Sequence, residues 1–219
     1  MKTARYRSAA AACIHLFNLF AVACCVAKFF IRRGDGNMQV VGTACFRYFT
    51  VDSNILAALS GAAALPFCLR AEGRDGAALP DWVRVLRAVG TTSVMVTFLT
   101  VMLMLGPMFG YASMVAGNNL YLHLICPLLS LVSFVLLERD GRLSVMQSLA
   151  GVLPVAAYGA VYLERVVIRH AWPDFYGFNI GGRWPLSAIA MFTATAALCL
   201  ALRALHNRRP GSAVQAPTV

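Results

Sequence analysis

The 219 residues are 59% hydrophobic and only 13% charged, with a mean hydropathy of +0.69 and a formal net charge of +10. Such values exclude an ordinary soluble domain. Because the charges gather in short segments between apolar runs of about twenty residues, long enough to cross a hydrocarbon core, they indicate an all-α polytopic membrane protein.

Six spans are expected, over 9–31, 44–67, 86–108, 118–137, 145–165 and 185–205, forming one six-helix transmembrane domain from 1 to 209. The opening MKTARYR and the CVA at 25–27 resemble the n-region and cleavage site of a signal peptide. His15, Asn18 and the continuation through KFFI favour an uncleaved helix instead. His15 and Asn18 lie i,i+3 and either line a cavity or pair helices. Lys28 and Arg32 are placed to snorkel to headgroups.

The second span opens with RYFTVDSN, Arg47 to Asn54, a dense polar cluster ahead of the apolar ILAALSGAAALPFCL. If the helix begins near Ala44, Thr50 lies ~9 Å along it. At ~100° per residue, Arg47, Thr50 and Asn54 share one face, while Asp52 points nearly the opposite way. A carboxylate in a membrane helix is unusual, and Lys28 or Arg47 is its expected partner. Thr91, Thr92, Ser93, Thr97 and Thr100 of the third span read as packing residues. The following connection, GPMFGYASMVAGNN, carries no charge and is easily translocated.

On the fourth span Asn119, His123, Cys126, Pro127 and Ser130 form a second polar stripe. That span runs in the same direction as the second, so His123 falls at nearly the depth of Thr50. Pro66, Pro107, Pro127 and Pro154 are expected kink positions. Glu164, near the end of the fifth span, is either a further member of a site or an ion-pair partner at the interface. In the long connection VVIRHAWPDFYGFNIGGRWP, the residues Trp172, Phe175, Tyr176, Phe178 and Trp184 form an aromatic belt or a partial lid. The tail at 210–219 has the composition of a disordered end.

Placing both termini inside puts twelve of the 19 Lys and Arg residues on the cytoplasmic side, among them Arg84 and Arg87, against seven outside; an N-in, C-in arrangement follows. The basic residues sit in tails and short loops without stacking aromatics, so they read as topology signals and contacts with membrane lipids rather than with nucleic acid. Seven cysteines occur with no CxxC and no histidine at ligand spacing, so no metal or cofactor is implied. No partner protein is indicated.

A threonine hydroxyl becomes a useful nucleophile when a neutral imidazole can take its proton. Thr50 and His123 are therefore the candidate catalytic pair, with Arg47, Asn54 and Asn119 as candidate oxyanion donors or orienting groups and His15, Asn18 and Glu164 as candidate cavity residues. FRYFTVDSNIL, followed some seventy residues later by NLYLHLICPLLSLVSFVLLE, resembles the bacterial branch of the androgen-induced and androgen-dependent membrane hydrolases. The resemblance covers most of residues 10–205. It implies six spans, an intramembrane threonine and histidine matching Thr50 and His123, and hydrolysis of fatty acid esters of hydroxy fatty acids in a bacterial inner membrane. Where the animal members carry an aromatic-Pro-Phe element before the last span, this chain has AWPDFYGF at 171–178. The alternatives are a transporter of lipids or small molecules and a membrane scaffold without catalysis.

Overall fold

A computed structural model describes residues 2–31, 40–70 and 79–208. The 210–219 tail, with Arg32, Arg33, Arg74 and Arg209 from the charge tally, lies outside the described residues. Helix accounts for 83% of the structure, with no strand among the described residues. Six helices are long and apolar enough to span a membrane: α1 (Tyr6–Ile31), α2 (Phe49–Arg70), α3 (Asp81–Phe109), α4 (Leu120–Leu137), α5 (Val145–Ile168) and α6 (Trp184–Asn207). The protein is a multi-pass membrane protein.

Helix α3 is the hub, packing against α2, α4, α5 and α6, whereas α5 and α6 turn most of their surface outward. Close approach at the hub depends on small residues. A Cβ on Gly90 of α3 would stand 2.5 Å from the Ser60 hydroxyl of α2, and one on Gly61 would stand 2.9 Å from the His15 ring of α1. Neither distance is attainable without moving a neighbour, so glycine is what lets these helices meet.

The helix ends follow from local chemistry. Ser144 accepts from the Gln147 N–H while Gln147 accepts from the Ser144 N–H, a capping box that starts α5. Proline occupies the first turn of α6, where its missing N–H costs nothing. Four segments widen into π turns: Val101–Leu105, Leu120–Ile125, Ser133–Leu137 and Leu163–Ile168. The first two immediately precede Gly106-Pro107 and Cys126-Pro127, where a proline ring cannot coexist with regular hydrogen bonding and the helix adjusts its pitch. Thus two of the expected kink prolines act through π turns.

The second span starts later than hydropathy indicates. Gly42–Arg47 is a separate 3₁₀ turn, and Tyr48, extended at φ −107° and ψ 121°, breaks it from α2. Thr50 consequently sits in the first turn of α2 rather than ~9 Å along it. Arg47 lies outside the helix altogether, as does Cys45, which was expected within the span.

Charge is also buried where none was expected. Arg87 of α3 is 1% exposed and grips Glu138, just past α4, through two hydrogen bonds of 2.8 and 3.0 Å. Its third nitrogen donates to Ser60 at 3.0 Å, and Ser133 donates to the same carboxylate. The ring nitrogen Nε2 of His15 stands 3.2 Å from Glu138 Oε1, an electrostatic contact without good hydrogen-bond angles. Arg87 is thus a structural cation and leaves the topology tally. Arg84 is buried too, bonded to Asp81 at 2.7 Å and to the Leu79 carbonyl at 2.7 Å.

Candidate functional site

An apolar cavity of ≈ 330 Å³ opens among α3, α5 and α6, and the first turn of α2 closes one side of it. Its walls are aliphatic and aromatic: Val96, Val101 and Leu105 of α3, Val155 and Leu163 of α5, Met191 and Phe192 of α6. Polar groups are few. Thr50, Thr97 and Thr100 contribute hydroxyls, and Asn179 and Ser187 lie toward the connection between α5 and α6. Size and lining fit a site for an apolar ligand with a small reactive or orienting polar end.

Thr50 is held from three directions. Its carbonyl accepts a 2.7 Å bond from Asn54 Nδ2, which also donates to the Leu122 carbonyl of α4 at 2.9 Å. Asn54 therefore bridges α2 and α4 one residue before His123. Next to Thr50, Ser53 shares a 2.8 Å bond with Thr97 of α3. From above, the Tyr176 hydroxyl accepts from the Phe49 N–H at 3.0 Å and lies against the Thr50 side chain. Burial pushes the Tyr176 phenol up to about 12, so it remains a neutral hydroxyl with a proton to donate.

His123 lies within the Leu120–Ile125 π turn and is 1% exposed. Its Nδ1 is 2.6 Å from the Met114 carbonyl. A carbonyl only accepts, so this bond assigns the proton to Nδ1 and leaves Nε2 as the basic nitrogen. Nε2 is buried and has no hydrogen-bond partner among the described residues. Met114 packs in turn with Val101, Leu105 and Tyr176, whose side chains line the cavity. His123 itself is not among the lining residues, and no direct hydrogen bond joins it to Thr50 among the described residues.

The other expected site residues separate into different roles. Arg47 is exposed, its guanidinium 5.9 Å from the Trp172 ring centroid. Asn54 has both donor protons committed to carbonyls, and Asn119 donates to the Ser113 carbonyl at 3.4 Å, closing the connection into α4. His15 belongs to the Glu138 cluster, and Asn18 donates to Ser130 at 3.2 Å, so both pair helices rather than line a cavity. Glu164 forms ion pairs with Arg165 at 3.0 Å and with Arg169, the interfacial role. Helix-face reasoning that included Arg47 failed because the helix starts two residues after it.

Sequence patterning named Tyr176 only as part of an aromatic belt or partial lid and gave Tyr158 and Tyr162 no role. Tyr162 donates to Asp174 at 2.7 Å, and Asp174 accepts from the Phe178 and Asn179 N–H groups at 2.9 and 2.8 Å, folding the 172–179 segment down onto α5. This places Tyr176, 8% exposed, over the start of α2, while Phe178, Asn179 and Trp184 complete the cavity wall. The aromatic segment therefore forms part of a lid, and Tyr176 faces inward instead of joining a lipid-facing belt. The available signal was Asp174, an acid with backbone-capping geometry inside an aromatic run.

A residue placed on Gly159 tests the cavity directly. Gly159 lines it, and a Cβ there would meet nothing within 4 Å. Gly159→Phe is expected to leave folding intact and fill the space. With each buried methylene worth ~0.8 kcal/mol, excluding two lowers affinity for a long acyl ligand roughly tenfold while sparing a short one. Competition between long- and short-chain ligands in detergent reads the difference.

Comparison of the chain with protein-family models, with curated proteins and with solved structures returned no match.

Proposed function

We propose that the protein is an intramembrane ester hydrolase, with Thr50 as nucleophile, His123 as general base and the apolar cavity as the site of an acyl chain. The observation that carries the reading is the position of Thr50: a hydroxyl at the start of a helix, on the wall of a cavity otherwise almost wholly apolar. The tautomer of His123 supports it, since Nε2 is free to accept a proton. The resemblance of FRYFTVDSNIL and NLYLHLICPLL to the androgen-induced membrane hydrolases supplies the substrate class, a fatty acid ester of a hydroxy fatty acid. The excess of basic residues at one set of span ends favours both termini in the cytoplasm, and the resemblance supplies the bacterial inner membrane.

In this reading Thr50 Oγ1 attacks the ester carbonyl carbon while its proton passes to His123 Nε2, directly or through one water. The tetrahedral oxyanion lies at the start of α2 beside the Tyr176 O–H, its donor in this scheme; one such donor contributes about 3 kcal/mol. Collapse expels the alcohol, which takes the proton back from His123. Water, deprotonated by the same nitrogen, then releases the fatty acid and restores Thr50. Arg47, Asn54 and Asn119 have no part in this scheme.

The deciding experiment is labelling with a long-chain fluorophosphonate followed by peptide mapping. Wild type is expected to carry the adduct on Thr50, and Thr50→Ala to carry none while remaining monodisperse. Equal labelling of both proteins, or an adduct on another residue, rules the reading out.

A further inference from the structure

A second cavity, of ≈ 390 Å³, lies on the other side of the Phe49–Tyr158 ring pair and is open between α2 and α5. Its wall contains Asp52 together with the rings of Phe46, Phe49, Tyr158 and Trp172. Asp52 is half-buried in the first turn of α2, and among the described residues no cation pairs with it. The expected partners do not supply one: neither Lys28 nor Arg47 pairs with Asp52 among the described residues, and Arg47 directs its guanidinium over Trp172 instead. One anion and one cation thus stand at the rim and wall of a single aromatic cavity without neutralising each other. The cavity includes Asp52 in the first turn of α2, at one end of a helix long and apolar enough to span a membrane.

We propose that this cavity binds the zwitterionic headgroup of a membrane phospholipid, with the ammonium against Asp52 and the aromatic rings and the phosphate on Arg47. Each half of the ligand meets its physical complement. Aromatic faces attract an ammonium through the ring quadrupole, and a carboxylate at the cavity wall completes its neutralisation. The exposed guanidinium offers forked donors to phosphate oxygens. The rings also tolerate the methylenes between the two charges. An anionic headgroup would satisfy Arg47 but would set its glycerol or second negative group against Asp52, so the site discriminates between lipid classes. The proposal does not depend on Thr50 or His123 being catalytic.

Native mass spectrometry of the detergent-solubilised protein, offered equal amounts of phosphatidylethanolamine and phosphatidylglycerol, tests it. Wild type is expected to retain the zwitterionic lipid roughly tenfold over the anionic one, the ratio that corresponds to about 1.4 kcal/mol. Asp52→Asn, nearly isosteric, is expected to abolish the preference while leaving phosphatidylglycerol adducts in place. Arg47→Gln is expected to reduce both lipids. Phe46→Leu, which removes an exposed ring and so spares the core, is expected to lower phosphatidylethanolamine retention alone. Equal retention by wild type, or a preference that survives both Asp52→Asn and Phe46→Leu, overturns the proposal.

Discussion

Replacing Arg87 with methionine is expected to destabilise the folded protein by about 3–5 kcal/mol, the cost of leaving a buried charge without its partner. Glu138 is 3% exposed, and its remaining neighbours are a serine hydroxyl and the poorly angled His15 ring, neither of which replaces a bidentate guanidinium. Glu138→Met strands the cation in the same way, although Ser60 still accepts from one of its nitrogens. The double variant Arg87→Met/Glu138→Met separates the two effects. With no charge left to strand, it is expected to recover most of the loss, since a buried ion pair is often replaceable by apolar side chains of similar volume. Equilibrium unfolding of the four proteins in a mixed detergent series completes the cycle. If both single variants unfold with the wild type, the pair carries no structural role.

The other large effect is on chemistry. On the proposed reading, His123→Ala is expected to lower turnover of a long-chain nitrophenyl ester by at least about a hundredfold, because positioned general-base catalysis is worth 10²–10⁴ in rate. The other three imidazoles are committed elsewhere: His15 to Glu138, His170 to the Val166 carbonyl and His206 to the Phe134 carbonyl. Glu164→Gln is the matched control: a carboxylate on the cavity-bearing helix α5, occupied by two arginines and not lining the cavity, whose loss is expected to leave the rate within twofold, as ~0.4 kcal/mol or less for an exposed pair would allow. Size-exclusion profiles distinguish lost chemistry from lost folding. Were His123→Ala to retain wild-type turnover with Thr50→Ala inactive, the base would have to be sought among the tyrosines around Tyr176.

What could be read from the residues, and what could not, divides along physical lines. Six apolar runs of membrane-spanning length are legible because hydropathy averages over many side chains, so each span was placed within a few residues at most ends. The start of α2 was not. GTACFR is no more polar than FTVDSN, which opens the helix that follows, and only the backbone at Tyr48 separates a 3₁₀ turn from an α-helix. That five-residue error removed Arg47 from the Thr50 face. The opposition of Asp52 to Thr50 survived it, because both lie inside the true helix and line different cavities. Arg87 and Glu138 carried a signal that was set aside: each lies at the edge of an apolar run, where hydropathy treats a charge as loop, and only tertiary packing shows that both edges are covered. Tyr176 was harder, since its role depends on a loop folding back across the bundle.

That loop has a consequence for how the protein is made. The bond from the Phe49 N–H to the Tyr176 hydroxyl joins residues 127 positions apart, and Asn54 reaches the Leu122 carbonyl 68 positions away. During synthesis at roughly 5–20 residues per second, the ribosome needs about 6–25 s after Phe49 to deliver Tyr176, and α6 follows later still. Until then the threonine in α2 has neither its tyrosine nor its complete cavity wall. The surroundings of Thr50 are assembled only when insertion is nearly complete, so a nascent or truncated chain ending before Trp172 lacks the wall that Tyr176, Phe178 and Trp184 supply.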